Sequence, residues 1–179
     1  MTSAISPTER ASPAAALERR FVNIQRSQMH DMPMLNPALR VEALGFRPWS
    51  EHWLGVLVTP WFMNLLLFPR VAEHWPAIGE RESRHYAFPA GVFEFIGNRD
   101  AVLGDYQACS LFSPMFEFAD QTAARDTALA ALVALFDAAH RAGPDAPQTR
   151  SAAAAVSSRP AMTKRDLLFP GATRASREP

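Results

Sequence analysis

The run from Trp53 to Phe68, WLGVLVTPWFMNLLLF, decides the fold. It holds no charged side chain, and Thr59-Pro60 divides it into two short stretches rich in leucine, valine and aromatic residues. A membrane-spanning helix needs ~20 apolar residues, and Pro60 would interrupt it by removing a backbone donor and clashing with the preceding turn. Two covered strands, Trp53 to Thr59 and Phe62 to Phe68, account for the same residues. Stable membrane insertion is therefore not expected.

Reading outward, Val41 to Phe46 is a further strand on the N-terminal side. His85 to Phe88, Gly91 to Ile96 and Tyr106 to Phe112 follow on the other side, bounded by Gly, Pro and Asn. Glu73 to Glu80 is a short helix or an irregular loop, since Pro76 and Gly79 oppose a long one. Ser12 as N-cap before Pro13, with Leu17, Phe21, Ile24 and Gln28 at helical spacing, predicts a first helix from Pro13 to Met29. His30 to Pro37 is turn-rich. Asp120 is the expected N-cap of a second helix, with Leu129, Leu132, Val133, Phe136 and Ala139 as its apolar stripe and Gly143-Pro144 as its stop. Helices at the ends and strands between them predict an α+β fold: a mainly antiparallel sheet with the N- and C-terminal helices packed on one face. The expected organisation is a flexible N-terminus over residues 1–12, a body over 13–142, and a basic, mostly disordered tail over 143–179.

Charge narrows the function classes. Met1 to Ala142 carries 12 arginines against 15 acidic residues, and Gly143 to Pro179 carries 6 basic against 3 acidic, so an acidic body precedes a basic tail. The balanced total gives no reason to expect a nucleic-acid partner. Cys109 is the single cysteine, which excludes an internal disulfide and, acting alone, a zinc or iron-sulfur site. No basic stretch with an apolar run opens the chain, so cytoplasmic residence is expected.

No phosphate-binding loop, dinucleotide fingerprint, zincin helix or nucleophile elbow occurs, and no catalytic residue or cofactor is expected. His30, His52, His74, His85 and His140 fall at no metal-ligand spacing and read as surface or strand-edge residues. Two segments are richer in aromatic and methionine residues: Trp61-Phe62-Met63-Asn64, and Ser113 to Phe118 with Met115, Phe116 and Glu117. Such side chains build adaptable apolar surfaces that grip peptides, and near strand ends they also pack inward as core. Glu94 interrupts Val92-Phe93-Glu94-Phe95-Ile96, as Glu117 interrupts Phe116 and Phe118, so each requires a partner or a wet position. Alternation places Glu94 on a wet face.

Read as strings, NPALRVEALGF (36–46), LVTPWFMN (57–64), FPAGVFEF (88–95) and CSLFSPMFEFAD (109–120) resemble the hydrogenase accessory proteins called HybE, HupJ or HoxT, over about residues 15 to 142. The resemblance implies an α+β chaperone without catalytic residues. Its partners would be [NiFe]-hydrogenase precursors, above all the small subunit with its twin-arginine signal peptide, with the large subunit and other maturation proteins as further partners. The client-binding residues would be Trp61, Phe62, Met63, Asn64, Glu94, Met115, Phe116 and Glu117. Some relatives carry a rubredoxin module, which needs four cysteine ligands where this chain has Cys109 alone. The alternative is a maturation metallochaperone or iron-sulfur protection factor using Cys109, and Cys109→Ser separates the two. In the tail, Thr163, Lys164, Arg165, Leu167 and Leu168 resemble the twin-arginine consensus, although Lys164 replaces the first arginine and no apolar run follows. Such a string arises by chance in a basic tail, or it mimics the client's signal.

Overall fold

The break at Thr59-Pro60 is a hairpin held by one hydroxyl. Thr59 Oγ1 accepts from the Phe62 and Trp61 N–H groups at 2.9 and 3.2 Å and lies 2.9 Å from the Phe62 carbonyl, while the Thr59 N–H donates to that carbonyl at 2.8 Å. The strands it joins, β2 (His52–Val58) and β3 (Met63–Pro69), pair antiparallel from Val58↔Met63 to His52↔Pro69. In this computed structural model, which describes residues 10–29, 32–71, 75 and 78–140, that hairpin supplies the second and third strands of a six-stranded sheet. β1 (Glu42–Trp49) flanks β2, and β6 (Gly104–Phe112) flanks β3. β5 (Gly91–Asp100) and β4 (Ser83–Phe88) complete the order β1-β2-β3-β6-β5-β4, antiparallel at every pair.

Helix α1 (Ala14–Ile24) ends in a π-helical turn, Gln25–Met29, and α2 (Gln121–Ala134) is followed by a 3-10 turn, Ala138–His140. The α+β antiparallel class is as the sequence predicts, but the two helices lie on opposite faces of the sheet rather than on one. Side chains alternate along a strand. Leu54, Val56 and Val58 of β2, with Leu65 and Leu67 of β3, join the α2 core of Ala124, Ala128, Ala131 and Leu135. The intervening Leu57, Leu66 and Phe68 join Leu17 and Phe21 of α1. A central strand apolar on both faces needs a cover on each side.

The buried face of α2 also differs from the stripe expected of it. Ala124, Ala128, Ala131, Leu132, Ala134 and Leu135 are buried, whereas Leu129 and Val133 are exposed. Small residues allow a close approach: Gly45 lies in a β1 bulge at φ +62°, and a Cβ there would meet Leu132 Cδ1 at 2.5 Å. Asp120 caps α2 as expected, accepting from the Ala123 N–H at 2.8 Å. The first helix instead has Pro13 at its N-cap with no side-chain cap bond, so Ser12 does not fill that role. Residues 1–9, His30, half of Glu73 to Glu80 (Glu73, His74, Pro76 and Ala77) and the tail from 141 onward lie outside the described residues. Of the expected flexible residues 1–12, Arg10 is described: its N–H donates to the Arg70 carbonyl at 2.8 Å, and its carbonyl accepts from Trp53 Nε1 at 2.9 Å.

An ion pair ties α1 to the far end of β5. Arg20 Nε donates to both Asp100 oxygens at 2.9 and 3.1 Å, and Asp100 Oδ1 also accepts from the Val102 and Leu103 N–H groups. Burial pushes the Asp100 carboxyl up, but the two N–H groups and the guanidinium together outweigh it and hold it below its usual 3.8. A carboxyl depressed in the folded state stabilises the fold above its unfolded pKa, and that contribution disappears as pH falls through the folded value. Stability should therefore fall below about pH 4, and Asp100→Asn should flatten that acid limb in urea midpoints measured from pH 5 to pH 2.5.

Candidate functional site

Three loops meet at the sheet end where β2 turns into β3. The first spans residues 32–39, the second 59–62 and the third 113–118. Asn36 joins them: its N–H donates to the Pro60 carbonyl at 2.9 Å, and its Nδ2 donates to the Met115 and Phe118 carbonyls at 2.9 and 2.7 Å. Ser113 Oγ donates to the Trp61 carbonyl at 3.4 Å. These bonds hold Met115 and Phe118 inward, in the α2-side core, and leave Phe116 between them 60% exposed. Trp61 and Phe62 are half-buried on the α1 side, with ring centroids 6.5 and 5.8 Å from Phe21.

The site residues expected from sequence therefore divide by burial. Met63 and Met115 are fully buried and belong to the core rather than to a gripping surface. Phe116 and Glu117 are exposed, and Trp61, Phe62 and Asn64 are partly accessible. Glu94 is exposed, as alternation predicts, because Phe93 and Phe95 on either side point into the α2-side core. Its cross-strand partner is His85. Asn64 pairs with Ser110 on β6. The β5–β6 pairing ends at Ile96↔Ala108, so Glu94 lies in the stretch of β5 beyond that ladder, on the face opposite Phe93 and Phe95.

Sequence reasoning missed four exposed apolar residues that extend this surface. Met32 and Met34 are exposed beside Asn36, and Val92 and Ile96 are 67% and 45% exposed on either side of Glu94. The alternation that placed Glu94 on the wet face places Val92 and Ile96 there too. With Ala87 and Ser83 opposite them on β4 and His85 opposite Glu94, they make an accessible half-sheet that alternates apolar and polar side chains and carries a carboxylate. α1 covers the same face only over the β1–β3 half and the inner side of β6.

The remaining candidates offer little to a reaction. Cys109 is half-buried against the α2-side core, and among the described residues no three His, Cys, Asp or Glu side chains are placed to hold a metal ion. His52 is more enclosed than a surface residue: it sits among Trp49, Trp75 and Tyr86 at ring distances of 5.5 to 5.9 Å, and burial lowers its pKa. Among the described residues no helix is long and apolar enough to cross a membrane.

The sheet is open and antiparallel, with accessible apolar side chains on one half-face beside a loop rim. Comparison with known proteins gives the particular class: the chain belongs to the family described as [NiFe]-hydrogenase assembly, chaperone, HybE, which it matches over residues 12–170. It is thus a member of a hydrogenase assembly chaperone family rather than of an enzyme family. It is 44% identical over 131 residues to a Rhodobacter capsulatus protein described as probable rubredoxin HupJ, a match covering 73% of this chain and 47% of that one. It is also 44% identical over 147 residues to the protein HoxT of Cupriavidus necator, covering 73% and 76% of the two chains. The solution structure of HybE from Escherichia coli superposes with a TM-score of 0.56 at 26% identity, covering 89% of this chain and 98% of that one. The chain spans about half the length of the Rhodobacter protein, whose name refers to a rubredoxin.

Proposed function

We propose that this chaperone binds the precursor of a [NiFe]-hydrogenase small subunit in the cytoplasm, before export, by receiving its twin-arginine signal segment on the open β4–β6 half-face and the adjoining loop rim. The large subunit and other maturation proteins are secondary partners in this reading. The observation that carries it is the accessible row Val92, Glu94 and Ile96 on β5, which joins the sheet through Ile96↔Ala108 and Ala108↔Leu66 to the β2–β3 hairpin that carries Trp61 and Phe62. A twin-arginine signal has a basic segment followed by an apolar one, so it needs carboxylates beside an apolar surface. Glu94 and Glu117 supply the first. Val92, Ile96, Phe62 and Phe116 supply the second, and Met32 and Met34 add side chains that adapt to different sequences.

The test is calorimetric titration of the folded chain with a synthetic twin-arginine signal peptide and with a scrambled control. Selective binding of the first supports the reading, and equal binding of both removes it. Replacing Glu94 and Glu117 together by Gln should weaken binding about fivefold at low salt, because exposed pairs contribute modestly. The double variant should also lose most of the salt dependence between 50 and 300 mM, since such charges are screened over ~8 to 10 Å. Binding indifferent to both changes would leave the apolar contacts as the whole interaction.

A further inference from the structure

The half-face of Ser83, His85, Ala87, Val92, Glu94 and Ile96 is exposed in the described structure, while the opposite side of the same strands is packed beneath the core. Glu94 has no ion-pair partner among the described residues. The chain leaves the described body at this half of the sheet. The Ala90 N–H in the β4–β5 turn donates to the Leu135 carbonyl at 3.1 Å, and the Phe88 and Phe136 rings meet edge to face at 5.7 Å. The last described turn, Ala138–His140, follows directly.

Beyond it, 22 residues, 141–162, precede Thr163-Lys164-Arg165-Asp166-Leu167-Leu168-Phe169. Twenty-two residues reach at most about 75 Å when fully extended, ample to pass around edge strand β4 to the other face. The family match runs to residue 170 and so includes this segment, while stopping before the last nine residues. The segment's chemistry complements the face: two cations, Asp166, then three large apolar side chains, against one carboxylate that has His85 opposite it on β4 and Ala87, Val92 and Ile96 around it.

We propose that residues 163–169 of this chain dock on its own open β4–β5–β6 face when no client is bound, Lys164 and Arg165 against Glu94, and Leu167, Leu168 and Phe169 over Ala87, Val92 and Ile96. This rests on the reading that the same face receives the client's signal segment. A client displaces the tail, and the tail covers the apolar face between clients. Tethering supplies an effective concentration of order millimolar. With an intrinsic dissociation constant near 100 µM the tail would be about nine-tenths docked, and its removal would tighten client binding about tenfold.

The experiment compares backbone amide spectra of the full chain and of a chain ending at Pro160. Docking requires shifts at Ala87, Val92, Glu94 and Ile96 on truncation, reversed when a synthetic peptide of residues 161–171 is added, and abolished in the full chain by Leu167→Asp with Leu168→Asp. Absence of shifts there, or shifts confined to Trp61 and Phe116, overturns the proposal. Shifts that vanish on dilution of the full chain also overturn it, because a second copy is then the occupant. No client enters these measurements, so they stand apart from the client reading. Titration of the truncated chain with a twin-arginine peptide then completes the test. Tightening by about tenfold supports displacement, and unchanged or weaker binding overturns it. A truncated chain that takes up the 161–171 peptide but no client peptide supports docking and removes the client reading.

Discussion

Met63→Glu should unfold the protein, whereas Trp61→Ala, two residues away, should leave it folded and impair client capture. Met63 opens β3, pairs with Val58 and Phe112, and has no accessible surface. It belongs to a core cluster with Val58, Leu65, Phe112 and Met115 that offers a carboxylate no polar partner. Burying an ionised or unpaired carboxyl costs several kcal/mol, comparable with the ~5 to 15 kcal/mol that separates a folded domain from its unfolded chain. Trp61 is half-exposed, its indole 5.6 Å from Phe62 and 6.5 Å from Phe21. Truncating it removes apolar contact at a surface turn whose backbone is held independently by Thr59. We expect a stability loss of about 1 kcal/mol and a roughly tenfold loss in affinity for a signal peptide, in line with an aromatic anchor. Circular dichroism melting and peptide titration decide both. A folded Met63→Glu variant would contradict the burial of that side chain, and an unfolded Trp61→Ala variant would make Trp61 a core residue and remove the hairpin from the binding surface.

The same pair shows what was legible in the sequence. The uncharged run around Trp61 to Asn64 announces two strands and a turn, and the structure has them, because period and punctuation are local properties. Which side chains of that run face inward is not local. Met63 lies under α2 because its neighbours in register are Val58 and Phe112, and that pairing involves β6, some fifty residues further on. The placement of the helices failed for a related reason. An unbroken apolar strand such as Leu65-Leu66-Leu67-Phe68 signals burial on both faces, and covering both requires a helix on each. In α2, large apolar residues suggested a stripe through Leu129 and Val133, but the helix turns Ala124, Ala128 and Ala131 into the core, Gly45 makes room for Leu132, and Leu129 and Val133 are left 39% and 67% exposed. Glu94 was placed correctly by alternation because β5 has one packed and one open face.

Asn36 is where the loop rim and the fold depend on each other, and its replacement should affect both. Besides its two bonds to the 113–118 loop, its Oδ1 accepts from the Ala38 N–H at 3.0 Å and its backbone N–H reaches Pro60. Asn36→Ala removes three side-chain hydrogen bonds and leaves the Phe118 carbonyl and the Ala38 N–H without that partner, while the Met115 carbonyl keeps the Phe118 N–H at 3.2 Å. At about 1 kcal/mol for each bond or stranded group, the loss should be about 3 kcal/mol. Asn36→Asp preserves the shape but turns the donor into an acceptor facing the Met115 and Phe118 carbonyls, so at pH 7 it should destabilise at least as much. The introduced carboxyl would have a raised folded pKa, since only its protonated form can donate. Relative to the parent protein the Asp variant should therefore recover part of its loss as pH falls from 7 toward 5, while the Ala variant should not. Without the latch Phe116 loses its fixed position, and peptide affinity measured on the remaining folded fraction should fall in both variants. Urea unfolding at pH 7 and pH 5 provides the check. Equal pH responses in the two variants would show that the side-chain amide is not the donor to those carbonyls, and unchanged affinity would detach the 113–118 loop from client binding.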